Sequence, residues 1–174
     1  MKTVPKLLTL ICLLIASDAH ANLLTNGGFQ SCNFNGWDTY TDGVSNSVRD
    51  GDFNIINNAG DCQAEINIDV NTGSSAFYAN TLSTELDLST SADSQLWLSF
   101  AWDFAGFDDG SDDADLFFVN FIDDLGNIVG ADGSSGFLID PTSAYGSGTF
   151  SMMLDSSFHN QSGWFLDFNL EAGY

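Results

Sequence analysis

From Leu96 to Phe104 the side chains alternate without a break. Leu96, Leu98, Phe100, Trp102 and Phe104 fall on one side of an extended backbone, and Trp97, Ser99, Ala101 and Asp103 on the other. A period of two belongs to a strand with one buried face, because successive side chains of a pleated backbone point in opposite directions. The device recurs along the chain. Ala64, Ile66, Ile68 and Val70 alternate with Glu65, Asn67 and Asp69; Leu82, Thr84, Leu86 and Leu88 with Ser83, Glu85 and Asp87. Phe150, Met152 and Leu154 alternate with Ser151, Met153 and Asp155, and Trp164, Leu166, Phe168 and Leu170 with Phe165, Asp167 and Asn169. Leu116–Ile122 is apolar on both faces, as expected of a central strand. It runs into Asp123-Asp124-Leu125-Gly126-Asn127 and a returning Ile128-Val129, which predicts a hairpin.

Composition closes off the helical alternative. Asp outnumbers Glu 21 to 3 and Lys plus Arg total 3, so the residues that build solvent-facing helix surfaces are nearly missing. Asp, Asn, Ser and 17 Gly favour turns instead. About eight or nine strands in roughly 150 residues predict an all-β fold, an antiparallel two-sheet β-sandwich of jelly-roll type.

The first 21 residues read as an export signal. Lys2 and Lys6 precede the apolar stretch Leu7–Ala16, and Ala19-His20-Ala21 is a small-x-small cleavage site. That assigns 1–21 to the signal peptide and 22–174 to a single domain, secreted or at the cell surface. The apolar run is too short to span a bilayer and no second one follows, so no membrane insertion is expected after the signal is removed. The signal also takes Cys12 with it and leaves Cys32 and Cys62. In an oxidising compartment two thiols in a small domain most simply pair; the other reading, a metal-binding pair, lacks nearby histidines, since His159 is the only one in the mature chain.

With the signal removed, Arg49 is the single cation against 23 acidic residues. Such a surface repels phosphate backbones and anionic lipid, which excludes nucleic acid and membrane surfaces as partners. Yet 44% of residues are hydrophobic and 13% aromatic, too many for a disordered acidic tail.

The opening Asn22-Leu23-Leu24-Thr25-Asn26-Gly27-Gly28-Phe29-Gln30, followed by Asn35-Gly36-Trp37, resembles the "N-G-x-F-E … G-W" start of galactose-binding-like jelly rolls. These include many carbohydrate-binding modules and the exported bacterial proteins that carry a PEP-CTERM sorting tail. Thr81–Leu88 and Leu96–Phe100 are similar to the family's "L-S-Q-x-L" and "L-x-F" strands, and Asp103-Phe104 through Asp115–Val119 to its "D-x-F … D-x-F-F-V" stretch. The resemblance implies the jelly-roll fold and, by association, a Gram-negative envelope. It also implies a structural calcium near Asn26, Gln30 and Asp50, although Gln30 replaces the family's glutamate ligand. The family's closing strand and sorting tail are not found before Tyr174. The resemblance therefore leads us to expect a domain lacking its last strand, or one whose last strand is Phe165–Leu170; the former would leave a sheet edge open to self-association.

Two sets of residues could carry chemistry. Asp108, Asp109, Asp112, Asp113 and Asp115 place five carboxylates in eight residues. Ca²⁺, which takes six to eight oxygen ligands from flexible loops, would relieve their repulsion, and a solvated acidic loop is the competing reading. Trp97 lies opposite the core face of its strand, beside Ser99 and Asp103, where a flat π-face could take the apolar C–H face of a pyranose. Trp37, Tyr40 and Tyr145 sit in polar loop sequence and are further ligand candidates, with structural packing the alternative for Trp37 and burial under a neighbouring strand for Trp97. No catalytic residues are assigned: one histidine in the mature chain and no nucleophile elbow, zinc motif or phosphate loop give catalysis no foothold. The sequence thus points to an exported, non-catalytic domain that binds carbohydrate (a polysaccharide or surface glycan) or mediates adhesion, stabilised by calcium. The alternatives are a structural protein of an extracellular matrix or biofilm and, less favoured, a glycoside-acting hydrolase.

Overall fold

A computed structural model describes residues 24–41, 51–68, 79–89, 95–105 and 114–172. Their regular structure is ten strands and one 3-10 turn: β1 (Asp38–Thr41), β2 (Phe53–Asn58), β3 (Asp61–Ile66), β4 (Ala79–Leu86), β5 (Trp97–Phe104), β6 (Leu116–Ile122), β7 (Ile128–Val129), β8 (Ile139–Thr142), β9 (Gly146–Met153) and β10 (Trp164–Glu171), with the turn at Ser156–Phe158. Every pairing is antiparallel. The larger sheet has six strands in the order β1-β4-β10-β6-β7, with β8 also on β6; β5-β9 and β2-β3 form two-stranded sheets. The chain is an all-β sandwich.

Parity decides the layers. The apolar residues of β4, β10 and β6 meet those of β5 and β9, so that Phe100 stacks on Phe150 across the β5-β9 ladder (5.0 Å) and stands edge-on to Phe168 of β10 (5.0 Å). Trp102 lies against Phe117 of β6 at 5.4 Å, and Gly148, its register partner, leaves room for the indole: a Cβ there would sit 3.1 Å from the ring. Phe100, Trp102, Phe150 and Trp164 therefore share one interior, packed around Val119, Phe121, Phe158 and Leu166. Each such ring pair adds about 0.5–1.5 kcal/mol beyond its buried area.

β10 runs down the middle of the larger sheet, bonded along its length to β4 on one side and β6 on the other. Its outward residues were expected to be wet, but Asp167 and Asn169 are 3% and 9% exposed. Neighbours on both flanks close over them, and their polar atoms are satisfied within the sheet. Ser83 Oγ donates to Asp167 Oδ1 (2.5 Å), Thr81 Oγ1 to Asn169 Oδ1 (2.8 Å), and Asn169 Nδ2 to Asn120 Oδ1 (2.9 Å).

The turns follow from their residues. In the β2-β3 hairpin Ala59 and Gly60 both take positive φ, the two-residue geometry whose twist matches the strands, and the Asn57 side chain accepts the Gly60 N–H. The hairpin is tied to the N-terminal loop by the Cys32–Cys62 disulfide and to β4 by the Asn80 amide, which donates to the Asn67 carbonyl. The predicted β6-β7 hairpin forms: Asp123 Oδ2 accepts from the Asn127 side-chain amide and Oδ1 from the N–H groups of Leu125 and Asn127, and these bonds, the Asn127 side chain's first, hold its carboxyl below the usual range. The 3-10 turn is capped by Asp155, whose carboxylate accepts the Ser157 N–H at 2.8 Å. The turn drives Phe158 into the core with no exposed surface.

Candidate functional site

The four aromatic candidates do not converge. Trp97 begins β5 on its outer face and is 61% exposed. Directly across the ladder stands Met153, 49% exposed, and the face continues as Ser99 opposite Ser151, Ala101 opposite Thr149 and Asp103 opposite Ser147. The result is an exposed surface with one indole at its end and hydroxyls on both strands. Trp97 is thus on the surface and not under a neighbouring strand. Tyr145 lies at the other end of this ladder, next to the Phe104–Gly146 pair and 4.9 Å from the Phe104 ring, roughly 25 Å away at ~3.3 Å per strand residue. Tyr145 and Trp97 cannot stack on one sugar ring.

Trp37 packs against its neighbours. It is buried (8% exposed), stacked on Phe29 at 5.1 Å and tilted against Phe168, and its Nε1 donates to the Asn26 carbonyl. The same Asn26 shapes the loop. Its Oδ1 accepts the Ser31 N–H and its Nδ2 donates to the Asn33 carbonyl, while Gln30 points to solvent. Asp50, the third residue expected there, lies outside the described residues.

Tyr40 is on a strand and not in a loop. It sits on the outer face of β1, 46% exposed, in the row next to Asp38, Ser83 and Asp167, which are register neighbours across β1, β4 and β10. With Ile122 and Phe165 these residues line a cleft of about 290 Å³ on the sheet. A second cleft, about 210 Å³, lies between the Gly130–Leu138 loop and β9. It opens beside Met152, which has core-face parity yet is 45% exposed.

Of the acidic run, Asp108, Asp109, Asp112 and Asp113 lie outside the described residues; Asp115 is half-buried just before β6. Among the described residues no three His, Cys, Asp or Glu side chains converge to hold a metal.

Burial pushes the Asp167 carboxyl up, opposed in part by the Ser83 hydrogen bond. The native state therefore binds this proton more tightly than the unfolded chain. Stability from this group is full below the ordinary value of 3.8 and falls as pH rises through the raised native value. Asp167→Asn, which keeps an acceptor for Ser83, is expected to raise Tm by a few degrees at pH 7 and to leave it unchanged at pH 3. Melting curves of both proteins at the two pH values check this; an unchanged Tm at pH 7 would contradict it.

The fold and these surfaces define an acidic, disulfide-tied all-β sandwich with an exposed aromatic-and-hydroxyl sheet face. No helix among the described residues is long and apolar enough to cross a membrane, and the disulfide is compatible with an extracellular protein. No protein-family model, curated protein or solved structure matches the chain.

Proposed function

We propose that the protein is an exported, non-catalytic carbohydrate-binding domain of the galactose-binding-like kind, which holds a polysaccharide or surface glycan on the outer face of β5-β9. The observation that carries this reading is Trp97, 61% exposed at the end of a face otherwise made of Ser, Thr, Ala, Met and Asp. Leaving an indole in water forgoes about 2–3 kcal/mol of burial, which a ligand would recover. The indole offers a π-face to the C–H side of a sugar ring, and Ser99, Ser151 and Thr149 offer donors and acceptors to its hydroxyls. Retention on insoluble polysaccharides and on a glycan array, measured with calcium present, tests the proposal. Trp97→Ala is expected to weaken retention at least tenfold without lowering Tm. No retention by the unaltered protein, or retention indifferent to Trp97, would refute it.

Calcium belongs to the same reading, through the acidic run at 108–115. With so few cations in the chain, carboxylate repulsion opposes the compact state and a divalent ion relieves it. Tm is expected to rise by several degrees on going from chelator to millimolar calcium at fixed ionic strength. A difference within about a degree would count against the metal.

One observation favours the matrix-protein reading as an alternative. Among the described residues β5 and β9 pair only with each other, and an outer edge of this ladder could pair with a second copy. Concentration-dependent oligomers with no glycan retention would select it.

A further inference from the structure

Asparagine followed by glycine occurs twice in the chain, at Asn26-Gly27 and Asn35-Gly36, and the fold treats the two pairs in opposite ways. An asparagine side chain can be attacked by the backbone nitrogen that follows it, provided that nitrogen and the amide carbon can meet. They meet most readily when the next residue is glycine, which has no Cβ to crowd the approach.

At Asn26 both ends of the amide are held. Its Oδ1 accepts the Ser31 N–H at 3.1 Å and its Nδ2 donates to the Asn33 carbonyl at 2.7 Å, so turning toward Gly27 breaks two hydrogen bonds. Asn35 has no such ties. It is exposed at the corner of the turn Phe34–Trp37, which the Trp37 N–H closes on the Phe34 carbonyl at 2.8 Å. Gly36, also exposed, takes φ +85° at the third position of that turn, where a type II turn asks for glycine. Among the described residues nothing accepts the Gly36 N–H, and nothing bonds the Asn35 side-chain amide. Electrophile and nucleophile are neighbours, both in water and both unengaged.

We propose that Asn35-Gly36 is a self-modification site. The Gly36 nitrogen gives its proton to base and bonds to Asn35 Cγ; the Cγ–Nδ2 bond breaks, ammonia leaves, and a cyclic succinimide remains. Water then opens the ring. Opening at the side-chain carbonyl gives aspartate. Opening at the main-chain carbonyl gives isoaspartate, whose backbone runs through Cβ and is one carbon longer. Nothing is oxidised or reduced: asparagine and water become aspartate or isoaspartate and ammonia.

The fold is strict where that extra carbon enters. The Gly36 carbonyl accepts the Thr84 hydroxyl of β4 at 2.8 Å, and a Cβ on Gly36 would stand 2.8 Å from the Thr25 methyl. Trp37, next along the chain, is buried against Phe29 and Phe168. The isoaspartyl form therefore cannot keep both the Thr84 bond and the Trp37 packing. This site goes beyond the glycan face at Trp97 and stands or falls separately from it.

Ageing the intact, disulfide-bonded protein at 37 °C, at pH 8.5 and at pH 5, tests the proposal. Peptide mapping by mass spectrometry and labelling by an isoaspartyl methyltransferase read the products. Asn35 is expected to gain one mass unit, with isoaspartate in part of the product, at least tenfold faster at the higher pH. It is also expected to convert at least tenfold faster than Asn26. In the reduced, guanidinium-unfolded chain the two rates are expected to converge, which assigns the difference to the fold. Asn35→Gln, at an exposed position, removes the reaction, because a six-membered ring closes far more slowly. The aged protein is expected to melt several degrees lower, whereas Asn35→Asp, with the charge but not the extra carbon, melts like the starting protein. An Asn35 that stays intact at pH 8.5, a folded-state Asn26 that converts as fast, or an isoaspartyl protein with unchanged Tm overturns the proposal. Trp97→Ala leaves the ageing unaltered, which separates failure here from failure of the glycan face.

Discussion

Replacing Phe158 by alanine is expected to lower stability by about 3–5 kcal/mol, the usual cost of removing a fully buried aromatic side chain. Phe158 has no exposed surface, and its ring lies 4.7 Å from Trp164 and 5.1 Å from Phe121, bridging β10 and β6 from below. The turn that delivers it cannot slide inward to fill the void. Asp155 caps it, and backbone bonds from Leu154 to Leu96 and from Asp155 to Ala131 fix its entry. Phe158→Leu, which keeps most of the volume, is expected to cost less than half as much. Urea unfolding followed by tryptophan fluorescence measures both, since Trp164 reports on this part of the core. A loss under 1 kcal/mol for the alanine variant would mean that the turn does not hold the core closed.

The second large effect belongs to the disulfide. Cys32 and Cys62 close a loop of sequence separation 30, and loop-closure entropy assigns such a cross-link about 3–4 kcal/mol. Cys62 is buried, while Cys32 sits at positive φ in the turn before Trp37. Reduction, or paired Cys32→Ser and Cys62→Ser replacement, is expected to lower Tm by more than 10 °C. It should also free the β2-β3 hairpin before the main sandwich unfolds. The hairpin's tie to the larger sheet includes the Asn80 amide on the Asn67 carbonyl. Hydrogen exchange should show β2 and β3 losing protection first. Equal protection in all strands of the reduced protein would argue that the bridge adds nothing local.

The strands that carry the core could be read from parity alone. β5, β6 and β10 alternate, or are apolar on both faces, because one or both of their faces is packed, and the β6-β7 turn announces itself in Asp123, Gly126 and Asn127. What escaped notice was stabilised by something other than a hydrophobic face. β2 breaks the alternation with Ile55-Ile56 among asparagines, and its partner β3 and the Ala59-Gly60 turn hold it in place. β1 is Asp-Thr-Tyr-Thr, ordered by its ladder to β4. β8 contains Pro141, tolerable on a strand paired on one side, and meets β6 through an irregular register. The site divides in the same way. Trp97 was visible because a single strand sets its direction. The outer row of Asp38, Ser83 and Asp167 was not, since these residues become neighbours only through pairings between distant parts of the chain, and the burial of Asp167 depends on strands to either side of it.

The place of β10 in the larger sheet bears on when this protein can fold. Among the described residues β4 and β6 do not touch as a ladder; residues 164–171 join them. A nascent chain that has not yet released those residues holds two half-sheets with no seam. Contacts so far apart in sequence close slowly. The export proposed above fits that delay, because the interior cannot lock until residues 164–171 have emerged.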